Sequence, residues 1–513
     1  MSSGPPGLLL KRLRSMPSLN GTVKSPVVNT SLTAKQAQVL NPAGTLADAK
    51  IASIGTRALS QPLARAAEST KPSGGLKLAT AKVVLTKMKD GFEPQIKPVS
   101  AGEVPNIPRG ALDKLDAWDR ELVLNAASGR GGGEARQNLS KLVESKGFTD
   151  TDASTQAKAL QTYLVTSPSS PTAGKQLASL LESANFNALS PGDKSQVLDI
   201  FQKTDSSGRE NLLNLTNRSM TALSFAGGPF HAKLVKQSAL LDKDKDGRTL
   251  LANLHAMVTG KLAPALEEQG ITRASLLSSV MQEAGQPGEI NQSNRGTCTV
   301  TSMQYMLCKE DPAEYVRLMR GLTSPSGTVK MRNGDTLKRE EDSIAPDSAT
   351  NRSASERLFQ SAMMEYSNGK LNYSNVTDKS TGKENVFLWF DKKVSKSGLS
   401  AEEQERGLQA LFGHDFDQLG NFSPDLAVEV LKKASGQRLL MDLKWGKNGG
   451  HAVTFVKIEN DRVYFRNPWG PTNDAKGTTY ENPPRRLEDP ETRLESMSLK
   501  DFKKAFKRVY LPD

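Results

Sequence analysis

Three short apolar runs near the C-terminus do most to limit what this chain can become. "QRLLMDLKW", "HAVTFVKIEN" and "DRVYFRNPW" follow one another between residues 437 and 469. Each is too short for a buried helix and is bounded by turn residues, so each reads as a strand. Asn460-Asp461 separates the second from the third and fits a tight turn. Strands joined by tight turns pair antiparallel. Upstream, "GTVKMRNGDTL" places Asn333-Gly334 between strand-like residues, which predicts a hairpin. "SASERLFQSAMMEYSN" is amphipathic with Ser353 and Glu356 spaced as a capping box, which predicts a helix. Two more helices are expected, from Cys298 and over Pro312–Leu322. The C-terminal part is therefore expected to be α+β, a cysteine-bearing helix packed on an antiparallel sheet.

A chain of 513 residues suggests roughly three domains. Residues 1–110 hold 15 basic and 5 acidic residues, a net +10 of the chain's +12. They are rich in Ser, Thr, Pro, Ala and Gly and show no sustained period. This segment reads as a basic, mostly disordered tail, with one ordered piece near Val83–Lys89. Phe92 is its only aromatic residue. No stacking platform for single-stranded nucleic acid is visible, and the expected partner of the tail is an acidic one. Residues 111–284 show apolar positions three and four apart and are expected to form an all-α domain. Residues 285–513 form the third unit.

The helical region contains an echo. Gly208 and Gly247 each begin the pattern G-R-x-x-L-x-N-L, which predicts two similar helix–turn units. Before the second copy, Asp242, Asp244, Asp246 and Gly247 match the opening of a calcium loop. The bidentate Glu needed at the twelfth position is absent, since Asn253 stands there. These aspartates are a weak Ca2+ candidate, and an aspartate-rich turn before a helix is the competing reading.

The N-terminus puts three leucines before its basic cluster, the reverse of a secretory signal. No run of about 18 apolar residues exists to cross a membrane. A cytoplasmic protein, or one exported by a non-classical route, is expected. Two cysteines, Cys298 and Cys308, cannot make a disulfide framework. Ten residues along one helix place them about 15 Å apart, beyond bridging distance.

Cys298 lies in "NQSNRGTCTVTSMQYML", where a loop gives way to a helix. A helix N-terminus and a neighbouring imidazole both favour a reactive thiol. Of the four histidines, His231 and His255 fall in the helical region, and His414 reads as a loop residue. His451 follows Gly449-Gly450 and opens an apolar strand, and Asn467 stands sixteen residues later in "RNPWG". Two antiparallel strands would bring that pair side by side.

Cys298, His451 and the Asn467-Pro468-Trp469-Gly470 stretch, in that order, resemble the papain-like cysteine peptidases, with a calpain-like flavour in "NPWG". The resemblance covers short blocks between about residues 285 and 470. It implies that Cys298 is the nucleophile, His451 the base and Asn467 the group that orients the imidazole. It also implies that Trp469 shields the histidine–amide contact. Gln292, six residues before the cysteine, would form an oxyanion hole with the Cys298 N–H. A thiolate–imidazolium pair would then attack an acyl carbon of a protein or peptide substrate, with no cofactor. The sequence departs from the family in Thr299, where an aromatic is usual, and in Arg295, where papain has a second cysteine. Peptide hydrolysis is the leading expectation. An acyltransferase or deamidase acting as a bacterial effector or toxin uses the same centre, and an inert scaffold on this fold is the non-enzymatic alternative.

Overall fold

The computed structural model describes residues 107–128, 133–167, 170, 172–224, 233–345, 350–369, 371–387, 390–420, 423–447 and 449–513. The basic segment up to residue 106, with Val83–Lys89, and His231 lie outside the described residues. What is described mixes helices with antiparallel sheets in an α+β layout.

Helices dominate from Arg109 to Gly285, most of them started by side-chain caps. Asp116, Ser145, Asp152, Ser183, Ser190 and Asp205 each accept a backbone N–H three residues on, which satisfies a donor that the first turn leaves open. The region is not purely helical as expected. β1 (Ser219–Ser224) and β2 (Lys233–Ser238) form an antiparallel hairpin. Met220, partly buried between exposed Ser219 and Thr221, carries the period of two that a strand needs.

The two G-R-x-x-L-x-N-L copies share a helix but not a turn. Gly208 sits inside the helix Ser206–Asn217, whereas Gly247 has φ +78° and lies before the helix Leu250–Thr259. The aspartates of the second copy do not converge. Asp244 accepts the backbone N–H groups of Asp246 and Arg248 and the Asn253 amide, while Asp246 faces the Arg317 guanidinium at 3.6 Å. Among the described residues no group of three His, Cys, Asp or Glu could hold a metal ion. Asp244 ties the turn together.

The hydrophobic core runs without a break past residue 285. Leu215, Val280 and Ala284 share one buried cluster with Val300, Met303, Leu318, Phe359 and Leu408. Burying each large apolar side chain is worth about 1.5–3 kcal/mol, so the cysteine helix Cys298–Glu310 is held by helices on both sides of that point. The Asn333-Gly334 hairpin forms as expected, pairing β3 (Thr328–Lys330) with β4 (Thr336–Lys338). The helix Ala354–Asn368 starts on the expected Ser353–Glu356 capping box. β5 (Asn372–Ser374), β6 (Lys379–Phe387) and β7 (Phe390–Lys396) make a three-stranded sheet.

The large sheet has eight strands. In chain order they are β8 (Phe416–Gly420), β9 (Leu439–Trp445), β10 (Gly449–Glu459), β11 (Arg462–Arg466), β12 (Thr479–Glu481), β13 (Pro484–Asp489), β14 (Leu494–Ser498) and β15 (Phe506–Pro512). In space the order is β12-β13-β14-β11-β10-β9-β15-β8, antiparallel throughout. The three apolar runs are its centre, β9, β10 and β11. Asn460 and Asp461, at φ +50° and +55°, make the tight turn expected between the last two. A second buried cluster, including Val453, Phe455, Phe465, Phe502 and Val509, fills one side of the sheet. The cysteine helix packs against β10 with the Ser302 hydroxyl on the Ala452 carbonyl at 3.3 Å. Among the described residues no helix is long and apolar enough to cross a membrane.

Candidate active site

Register brings the candidate residues together. His451 opens β10, and Asn467 follows the last residue of β11. The two strands pair with Thr454 opposite Arg466, so the approach to His451 runs beside the exit to Asn467. His451 Nε2 and Asn467 Oδ1 are 2.9 Å apart, and both residues are buried. The surroundings settle who donates. Asn467 Nδ2 donates to Glu495 at 3.0 Å, and the Trp469 backbone N–H donates to Asn467 Oδ1 at 3.2 Å. Oδ1 is thus the acceptor, Nε2 carries the proton, and Nδ1 is the basic nitrogen.

The thiol, at the start of its helix, meets that strand one residue further along. The backbone N–H groups of Ala452, next to His451, and of Thr299 favour the charged form of the Cys298 sulfur. The helix carrying it has no side-chain cap at Thr297. The Thr297 hydroxyl turns instead to Gln360 Oε1 at 3.1 Å, so no side chain caps the first turn of the helix.

Burial acts on both groups. It pushes the Cys298 thiol up, and the Asp442 carboxylate adds to this against the two N–H groups. Burial likewise lowers His451 to about 4, opposed by its bond to Asn467 and aided by the guanidiniums of Arg485 and Arg493. Burial thus disfavours the charged form of each group.

Every residue of the Asn-Pro-Trp-Gly turn has a contact. Asn467 meets His451, the Pro468 carbonyl accepts the Gln292 backbone N–H at 2.8 Å, and the Trp469 ring lies 5.1 Å from the imidazole. Gly470 has φ +75°, and a Cβ there would stand 2.3 Å from that of Asn291. Only glycine fits both constraints, and the turn can therefore press against the loop that leads to the cysteine. The Gln292 side chain is buried in that loop, donating to the Arg295 carbonyl at 2.5 Å, and among the described residues its Oε1 has no partner.

Sequence reasoning missed several supporting groups. Trp445 lies 4.5 Å from the His451 ring and edge-on to Trp469 at 5.5 Å. It pairs across the hairpin with Gly449, two residues before His451 and on the same face; reading the turn at 446–448 as a tight one would have found it. Glu356, Gln360 and Asp378 hold the loop. Glu356 accepts the Asn291 N–H at 2.8 Å, Gln360 donates to the Asn291 carbonyl at 2.9 Å, and Asp378 accepts the Gly296 N–H at 2.7 Å. These contacts span 65 to 82 residues and leave no periodic trace.

The other histidines stand apart from the cluster in their contacts. His255 faces Asp199 at 3.3 Å, and His414 stacks on Phe416. Cys308 is fully buried on its helix. Compared with family models, with curated proteins and with solved structures, the chain matches none.

Proposed function

We propose that this chain is a papain-like cysteine hydrolase whose substrate is a protein or peptide bond. The observation that carries the reading is the 2.9 Å His451–Asn467 bond, with the Ala452 N–H of the same strand acting on the Cys298 thiol. A buried histidine whose tautomer is fixed, near a cysteine at a helix start without a side-chain cap, suits nucleophilic catalysis.

The residues divide the work as follows. His451 Nδ1 takes the Cys298 proton as sulfur bonds to the acyl carbon. Negative charge on the former carbonyl oxygen meets the Cys298 N–H and the Gln292 amide. The C–N bond breaks as His451 Nε2–H stays on Asn467 and Nδ1–H passes to the leaving amine. Water then adds to the acyl-enzyme and restores the thiol.

The test is turnover of an unbiased peptide library by wild type and Cys298→Ala, read by mass. Cleaved products from wild type alone support the reading. Products from both, or from neither, contradict it. A mass gain of about one dalton on intact substrates would instead place the same centre in deamidation.

A further inference from the structure

One buried carboxylate in this region has no part in the chemistry above. Glu495 lies on β14 directly opposite Phe465 of β11, and Phe465 is two residues from Asn467. Alternation along a strand puts Asn467 and Glu495 on one face. Glu495 is fully buried. Its Oε1 accepts Asn467 Nδ2 at 3.0 Å and Arg493 Nε at 3.0 Å, and its Oε2 accepts Arg485 Nε at 2.7 Å.

The two guanidiniums are themselves fixed by rings. Arg485 lies 4.2 Å over Trp445 and 4.4 Å over Tyr480, and Arg493 lies 5.7 Å over Trp469. Trp445 and Trp469 are the rings that pack on His451. The carboxylate, the cations and the base thus belong to one stacked unit.

An amide can face a histidine in two ways. With Oδ1 inward it accepts Nε2–H and leaves Nδ1 basic. With Nδ2 inward it donates, and Nδ1 carries the proton instead. A carboxylate can only accept, so a charged Glu495 admits the first orientation and excludes the second. The two arginines pair with that carboxylate in a buried place.

We propose that Glu495 is a positioning residue: by fixing the orientation of the Asn467 amide it selects the His451 tautomer that is basic toward Cys298. This inference rests on the active-site reading above, and its test keeps the two apart. Asn467→Asp puts two carboxylates at contact distance and should slow iodoacetamide modification of Cys298 by about tenfold or more. The exchange Asn467→Asp with Glu495→Gln restores one donor, one acceptor and the original charge. It should recover most of the lost rate, a rescue that a merely structural role for Glu495 would not give. Thermal unfolding confirms that each variant is folded. A folded Asn467→Asp that reacts as fast as wild type, or a folded exchange variant no better than it, overturns the proposal.

Wild type supplies a readout that needs no variant. The Asn467 side-chain amide protons, followed by selective labelling and NMR, should be protected from solvent exchange. Exchange at the rate of an exposed amide also overturns the proposal. Should His451→Ala leave the Cys298 rate unchanged, the active-site reading fails, while the amide-exchange result still decides the bond to Glu495.

Discussion

The two halves of the site are built on different principles. The histidine half is over-determined: His451 is fixed by Asn467, Asn467 by Glu495 and the Trp469 N–H, and the imidazole by two indoles capped with guanidiniums. The cysteine half is a loop held by scattered single contacts. Gln292 is held through the Arg295 carbonyl, Thr297 leans on Gln360, and Gly296 leans on Asp378. The difference follows from where each half sits. A base at the centre of a sheet inherits the rigidity of the strands beside it, whereas a loop before a helix must be tied down residue by residue. If the proposed reading holds, the proton acceptor is preset and the oxyanion side is the less constrained half.

The strongest way to break that contrast is to remove the base. His451→Ala should lower turnover by about 10²–10⁴-fold, the usual worth of general acid–base catalysis, with peptide-library cleavage as the assay. On the loop side, Gln292→Ala should cost about 10²–10³-fold in kcat with little change in KM, measured by steady-state kinetics on a cleaved peptide. A smaller effect is expected at the indole shield. Trp469→Ala admits water, so the His451 imidazole should titrate closer to its ordinary value of 6.5 than to about 4. Catalysis needs the unprotonated ring, so in wild type activity is lost only as pH falls toward that low value. The acid limb of kcat/KM in the variant should move to higher pH while the neutral-pH rate changes less. The smallest effect should come from Thr297→Val, which removes the hydroxyl bond to Gln360 and should lower stability by about 1 kcal/mol in a denaturant titration. An unfolding midpoint equal to that of wild type would show that this bond does not hold the loop.

How much was legible beforehand divides along the same line. β9, β10 and β11, the turn at Asn460-Asp461 and the capping box at Ser353 were readable because local rules specify them: short apolar runs, turn residues and cap spacing. His451 and Asn467 followed from that hairpin. The hairpin β1–β2 was hidden inside a helical texture, because a period of two over six residues is faint beside long helical repeats. Glu495, Arg485 and Trp445 were hidden for another reason. Each is ordinary in its own strand, and only the pairing order of β13, β14, β11, β10 and β9 gathers them around one imidazole. Composition did not reveal what the aspartates of the second copy contact: Asp244 accepts backbone N–H groups and Asp246 faces Arg317.

Whether the preset base serves the thiol is tested most directly by the rate at which iodoacetamide modifies Cys298 near neutral pH, mapped by peptide mass in wild type and His451→Ala. Cys308 is fully buried and supplies the internal unreactive site. The expected result is slowing by about tenfold or more at Cys298 in the variant, with an unchanged fold. Equal rates in the two proteins would mean that the imidazole does not act on the sulfur, and would contradict the account.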